Sequence, residues 1–107
     1  MPQGLPAGTV TFLFTDIADS TRLWDEAPVE MADALRVHDA IVRETIERHG
    51  GYVFGIGGDG FCAAFSTADE AAAAAIESQE QLRDETTVRF AVRMGLHTGA
   101  AVERDRN

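Results

Sequence analysis

The sequence predicts an α+β fold of the ferredoxin-like type, a β-α-β-β-α-β antiparallel sheet with its helices on one face. Three observations carry that expectation. Residues 88–97 alternate strictly, with Val88, Phe90, Val92, Met94 and Leu96 on one face and Arg89, Ala91, Arg93, Gly95 and His97 on the other. Residues 29–49 carry an apolar stripe at helical spacing, Met31, Leu35, Val42 and Ile46, and stop at Gly50-Gly51. Two short β-rich runs flank Gly57-Gly58-Asp59-Gly60, the composition of a hairpin turn.

The elements follow in order. Residues 1–8 hold two prolines and two glycines and read as a leader, with one domain over 9–107. Thr9 to Thr15 is β-branched and aromatic and predicts a strand. Asp16 to Thr21 reads as a polar loop entering a short helix over Ser20 to Glu26, broken near Pro28. The long helix follows over Val29 to His49. Tyr52 to Ile56 and Phe61 to Phe65 are the hairpin strands. Thr67-Ala68-Asp69-Glu70 has the form of a capping box and opens an alanine-rich helix to about Asp84. The alanine run reads as a close-packed helix face.

Right-handed crossovers place the third strand beside the first, with the fourth on the first strand's other side. Antiparallel pairing then brings the end of the first strand to the start of the third. Asp16 and Asp59 are therefore expected to meet. Two carboxylates at adjacent strand ends suit a hard divalent cation, which takes one or two carboxylates and shares the rest of its shell with water and substrate phosphates. The loop after Asp16 runs into a helix N-terminus, where free N–H groups favour an anion. Against this stands the plainer reading of Asp16 and Asp19 as helix caps and Asp59 as a turn aspartate.

Composition excludes several classes. There are 18 acids against nine bases, all nine arginine, for a formal net charge of −9. Such a surface disfavours nucleic acid and anionic membranes. It suits an anionic ligand that arrives with cations. Cys62 is the single cysteine, so neither an intrachain disulfide nor a cysteine-rich zinc site can form, and a cytoplasmic location is expected. No apolar run approaches a membrane span. His38, His49 and His97 read as structural, His97 standing at the end of the last strand away from Asp59. Trp24 and Phe54 read as core or dimer contacts, and Cys62 as a small core residue.

Three blocks then resemble one family. Phe14-Thr15-Asp16-Ile17-Ala18-Asp19-Ser20-Thr21 is similar to the "FTDIxGST" opening of class III adenylyl/guanylyl cyclase catalytic domains. Gly50-Gly51, Gly58-Asp59-Gly60-Phe61 and Ala64-Phe65 resemble its "GG…GDGF…AF" hairpin, and Arg93-Met94-Gly95-Leu96-His97-Thr98-Gly99 its "R.GLHTG" strand. The blocks keep the family's order and spacing from about Thr9 to Arg106.

The resemblance implies a truncated class III fold. It also implies conversion of a purine nucleoside triphosphate, ATP ahead of GTP with the choice left open by Gly55, to a 3′,5′-cyclic nucleotide and pyrophosphate by two-metal catalysis with Mg2+ or Mn2+. It implies Asp16, Asp59 and the Ile17 backbone as metal ligands, and Ala18, Asp19, Ser20 and Thr21 as the triphosphate loop. A homodimer, or pairing with a partner cyclase half, follows because the family builds each site from two subunits. The sequence departs from the family's pattern at three places. Gly55 stands where the family has its adenine-selecting lysine, Asp19 where it has a loop glycine, and the "VN.AAR" segment with the transition-state asparagine and arginine is absent. No catalytic residue is therefore assigned. These departures motivate an alternative, a pseudo-cyclase regulatory module that binds nucleotide or a partner without turnover. A diguanylate-cyclase-like hairpin is disfavoured by Gly60 and by the other two blocks. A bare ferredoxin-like binding module is the remaining possibility.

Overall fold

A computed structural model describes residues 8–57, 60–85 and 90–101. The elements run β1 (Gly8–Ile17), α1 (Ser20–Glu26), α2 (Pro28–Arg48), β2 (Tyr52–Gly57), β3 (Gly60–Phe65), α3 (Ala68–Asp84) and β4 (Val92–Ala101). The four strands form one antiparallel sheet in the order β2-β3-β1-β4, as the crossover argument requires. Strand β1 is central and hydrogen-bonded on both sides, with Phe14 opposite Cys62 on β3 and Gly95 on β4.

Alternation along β1 separates two faces. Leu13 and Ile17 are buried under the helices with Val42 and Ile46 of α2, Ala71, Ala74 and Leu82 of α3, and Phe61, Ala63 and Phe65 of β3. Phe14 points the other way and is exposed. The alanine run packs as its spacing suggests: Ala71, Ala74 and Ser78 of α3 are fully buried, and Ile76 lies on the solvent side. Small side chains at these positions let α3 lie close on the sheet.

Local chemistry sets the boundaries. The Thr67 hydroxyl accepts from the Glu70 N–H at 3.1 Å, so the expected cap opens α3. Pro28 occupies the first turn of α2, where a missing N–H costs nothing. Gly50 takes φ +81° at the helix exit, the left-handed value a C-terminal glycine allows. Beyond it, His49 Nε2 meets Glu77 Oε1 at 2.7 Å and Arg48 pairs with the same carboxylate, stapling the end of α2 to α3. These two partners hold the Glu77 carboxyl below its ordinary value near 4.5, the His49 hydrogen bond being the larger cause.

Several expectations need correction. Strand β1 continues through Asp16 and Ile17, which the sequence assigns to a loop, because pairing with β4 continues to Ile17↔Val92 and Ala18 N–H then reaches the Ala91 carbonyl at 2.9 Å. Strand β4 starts at Val92 and runs to Ala101, so His97 is mid-strand opposite Phe12 rather than at a strand end. Val88 and Arg89 lie outside the described residues. The helix layer shields Val92 but leaves Leu96 47% exposed. His38, by contrast, is packed as its place near the α2 stripe suggests, against the rings of Phe61 and Phe90. Trp24 and Phe54 are exposed rather than core. Cys62 is only half-buried, since its register places it on the helix-free face beside Phe14.

Close packing at Ala74 predicts that Ala74→Leu destabilises the protein by about 1–3 kcal/mol. Ile76→Ala, one half-turn away on the exposed side, should stay within about 0.5 kcal/mol of wild type. Urea denaturation of both variants checks the pair.

Candidate phosphate and metal cleft

The site is built from the end of β1 and the start of β4. Asp16 and Arg93 are directly opposite in the β1–β4 register. Cross-strand neighbours of this kind bring their side chains together on one face. Arg93 Nε donates to Asp16 Oδ1 at 2.9 Å and Nη2 to Oδ2 at 2.7 Å, a fork-to-carboxylate pair. The Arg93 hydrogen bond is the main reason the Asp16 carboxyl is held below its ordinary value near 3.8. The carboxylate is thus ionised at neutral pH and turned towards solvent on the helix-free face.

The chain then turns at Ala18-Asp19 into α1. Asp19 adopts φ 60°, ψ 28°, the left-handed region. It occupies the N-cap position, yet its side chain makes no cap hydrogen bond, so the plain capping role expected for it is not what its carboxylate does. Arg22 instead reaches Asp19 Oδ2 at 3.5 Å and Glu26 Oε1 at 3.1 Å. Asp16, Ile17, Asp19, Ser20, Thr21, Arg22, Asp25, Glu26 and Arg93 together line an open cleft of about 580 Å³. That volume is in the range of small-molecule sites. Ala18 of the expected loop is not among the lining residues.

The hairpin approaches from the other side of β1. A Cβ on Gly60 would overlap the Thr15 carbonyl oxygen and come within 3.5 Å of the Asp16 Cα, so only glycine permits this approach. The adjacent Phe61 N–H donates to Thr15 Oγ1 at 3.0 Å. Thr15 thereby ties the start of β3 to the end of β1. Asp59, the residue bonded to Gly60, lies outside the described residues, as does Gly58.

Sequence reasoning thus placed Asp16, Ile17, Asp19, Ser20 and Thr21 in one neighbourhood, and the structure brings these five to one cleft. It missed Arg93, Asp25 and Glu26. Arg93 was visible as a residue of an alternating strand and of the "R.GLHTG" block, with no role at the site attached to it. Its two-residue offset from Ala91, which ends the ladder opposite Ala18, becomes meaningful once the register is known.

Residues 4–104 match the family described as the adenylate and guanylate cyclase catalytic domain. An uncharacterised protein of Mycobacterium tuberculosis is 42% identical over 102 residues, covering 94% of this chain and 34% of that protein. An adenylate cyclase of Schizosaccharomyces pombe is 39% identical over 62 residues, 58% of this chain and 4% of the relative. The chain therefore spans about a third or less of the length of these relatives. Among solved structures, an adenylate cyclase from Trypanosoma brucei in its monomeric state superposes with a TM-score of 0.80 at 28% identity, covering 96% of this chain and 61% of that one.

Arg93→Gln should move the Asp16 titration upward, back towards the ordinary value near 3.8, as followed by carboxyl NMR. The sign for stability follows. Because folding lowers the Asp16 value, the pair's contribution is present above 3.8 and is lost as pH falls through the lower folded value. Arg93→Gln should erase that part of the acid-side stability loss.

Proposed function

The chain belongs to the adenylate and guanylate cyclase catalytic-domain family, and from that premise we propose that it forms part of a nucleotide cyclase site. The reaction is the conversion of a purine nucleoside triphosphate, ATP in preference to GTP, to its 3′,5′-cyclic nucleotide and pyrophosphate. The observation that carries this reading is the ionised Asp16 carboxylate facing an open polar cleft, with the 18–21 loop and two guanidiniums around it.

The residues present fit hard divalent cations. The available donors are oxygens, the Asp16 carboxylate and the Ile17 main-chain carbonyl, and among the described residues no group of three or more His, Cys, Asp or Glu side chains forms a closed cage. Magnesium and manganese suit such partial sets because phosphates complete their shells. Asp16, the Ile17 carbonyl and Asp59 would hold the ions; the fit of Gly60 against Thr15–Asp16 supports Asp59 as the third member. Two divalent ions, when bound, would supply charge neutralisation at the attacking 3′-oxygen and at the leaving pyrophosphate.

The chain's own groups do the rest. Ser20 and Thr21 line the cleft; their hydroxyls and the free N–H groups of the first helical turn would hold the outer phosphates, together with the Ala18–Asp19 backbone. Arg93 shares Asp16 in the present geometry; a guanidinium at this place also matches phosphate oxygens. The helix-free face supports pairing of two subunits or of this chain with a partner cyclase half. Phe12, Phe14 and Phe54 form a contiguous aromatic group there, with ring centroids 6.0–6.1 Å apart, and Phe14 and Phe54 are exposed. Among the described residues no helix is long and apolar enough to cross a membrane. The single cysteine supports a cytoplasmic setting.

One observation favours a second reading, binding without turnover. Gly55 lies opposite Cys62 and offers no side chain where the family has its purine-selecting lysine.

Purified protein should form cyclic nucleotide from Mn2+-ATP, and more slowly from Mn2+-GTP. Asp16→Ala and Asp59→Ala should each reduce product to background and abolish metal-dependent nucleotide binding. Metal-dependent binding without product would select the second reading. Unchanged affinity in both variants would overturn the metal assignment.

A further inference from the structure

Asp19 is the one non-glycine residue with positive φ among the described residues. Glycine would hold this conformation without steric cost, and aspartate tolerates it better than most residues. The backbone therefore does not require an aspartate. Its carboxylate does not cap α1 either. It stands on the cleft rim, its side chain 69% exposed, with Arg22 Nη2 at 3.5 Å. That separation is long for a charge-assisted hydrogen bond. The same guanidinium makes its shorter contact, 3.1 Å, with Glu26. One positive charge is thus divided between two carboxylates. Among the described residues that line the cleft, Asp16, Asp19, Asp25 and Glu26 stand against Arg22 and Arg93, a formal balance of two positive against four negative groups.

A polyphosphate entering this cleft without cations meets net repulsion, whereas one whose charge is neutralised by divalent ions does not. We propose that Asp19 is a specificity-determining residue, a negative gate on the loop that excludes free triphosphate and admits the cation-complexed form. This rests on the nucleotide-binding reading above. The Asp19 carboxylate does not bind the ligand, whatever its backbone does; it sets how strongly nucleotide affinity depends on cations.

Calorimetric titration with 3′-deoxy-ATP and 3′-deoxy-GTP tests this, because these probes lack the attacking hydroxyl and cannot turn over. Each is titrated in EDTA and in Mn2+. Asp19→Asn removes the charge but keeps a side chain that tolerates the left-handed conformation. It should tighten binding in EDTA by roughly three- to tenfold, with a smaller change in Mn2+. Asp19→Gly should behave alike, and Asp19→Glu should keep the wild-type ratio. The difference between wild type and Asp19→Asn should collapse at about 1 M ionic strength, where the screening length is about 3 Å. Wild type that binds in Mn2+, with Asp19→Asn showing the same EDTA-to-Mn2+ ratio, overturns the gate alone. A change in Asp19→Gly without one in Asp19→Asn also overturns it, pointing to backbone strain instead. Wild type that binds neither probe in Mn2+ overturns the gate and the nucleotide reading together.

Discussion

The structure depends on the double pairing of β1. A strand hydrogen-bonded on both edges has no freedom of register, because a one-residue slip would exchange its two faces. In β1 that exchange would turn Leu13 and Ile17 to solvent and drive Phe14 and Asp16 under the helices. Burial of the first pair therefore fixes where the second pair points. The position of Asp16 is a consequence of core packing one and three residues away, at Ile17 and Leu13, not of any interaction it makes itself.

The same register supplies the electrostatics. Asp16 faces Arg93 because both strands extend to the Ile17↔Val92 pair and the Ala18–Ala91 hydrogen bond. The ion pair is largely exposed, so it contributes little to holding the strands together. Its consequence is chemical: a carboxylate kept ionised and oriented, with a guanidinium beside it. On the opposite edge Thr15 bridges to Phe61, and the bare backbone of Gly60 allows the hairpin to seat against β1. Core, hydrogen bonding and cleft are thus three results of one strand's placement.

The helix-free face completes this picture. A sheet with helices on one side leaves its other side to water or to a partner, and an antiparallel sheet can do so with polar side chains. Here the face carries Phe12, Phe14 and Phe54 instead, alongside Asp16 and Arg93. Aromatic and charged groups thus share one uncovered surface of the sheet.

Much of this was legible in the residues. The N-cap at Thr67, the glycine exit after α2 and the alanine face of α3 each report a local rule that tertiary packing did not override. Topology followed from handedness, and it was enough to draw the end of the first strand towards the hairpin. Strand ends were not legible: Asp16 and Ile17 look like loop residues until β4 pairs with them, and β4 begins later than its alternation does. The aromatic residues were also ambiguous, since a large apolar side chain reads as core unless the helix layer is known to cover only one face. By itself the sequence determined the element order, the acidic character and the motifs that name the chemistry, because these depend on residue type and short spacing. Only the tertiary structure decided that Arg93 grips Asp16, that Arg22 is divided between Asp19 and Glu26, and that Phe14 and Phe54 stay exposed. Those outcomes depend on register between strands distant in sequence and on which face the helices cover, and neither quantity is encoded in any local pattern.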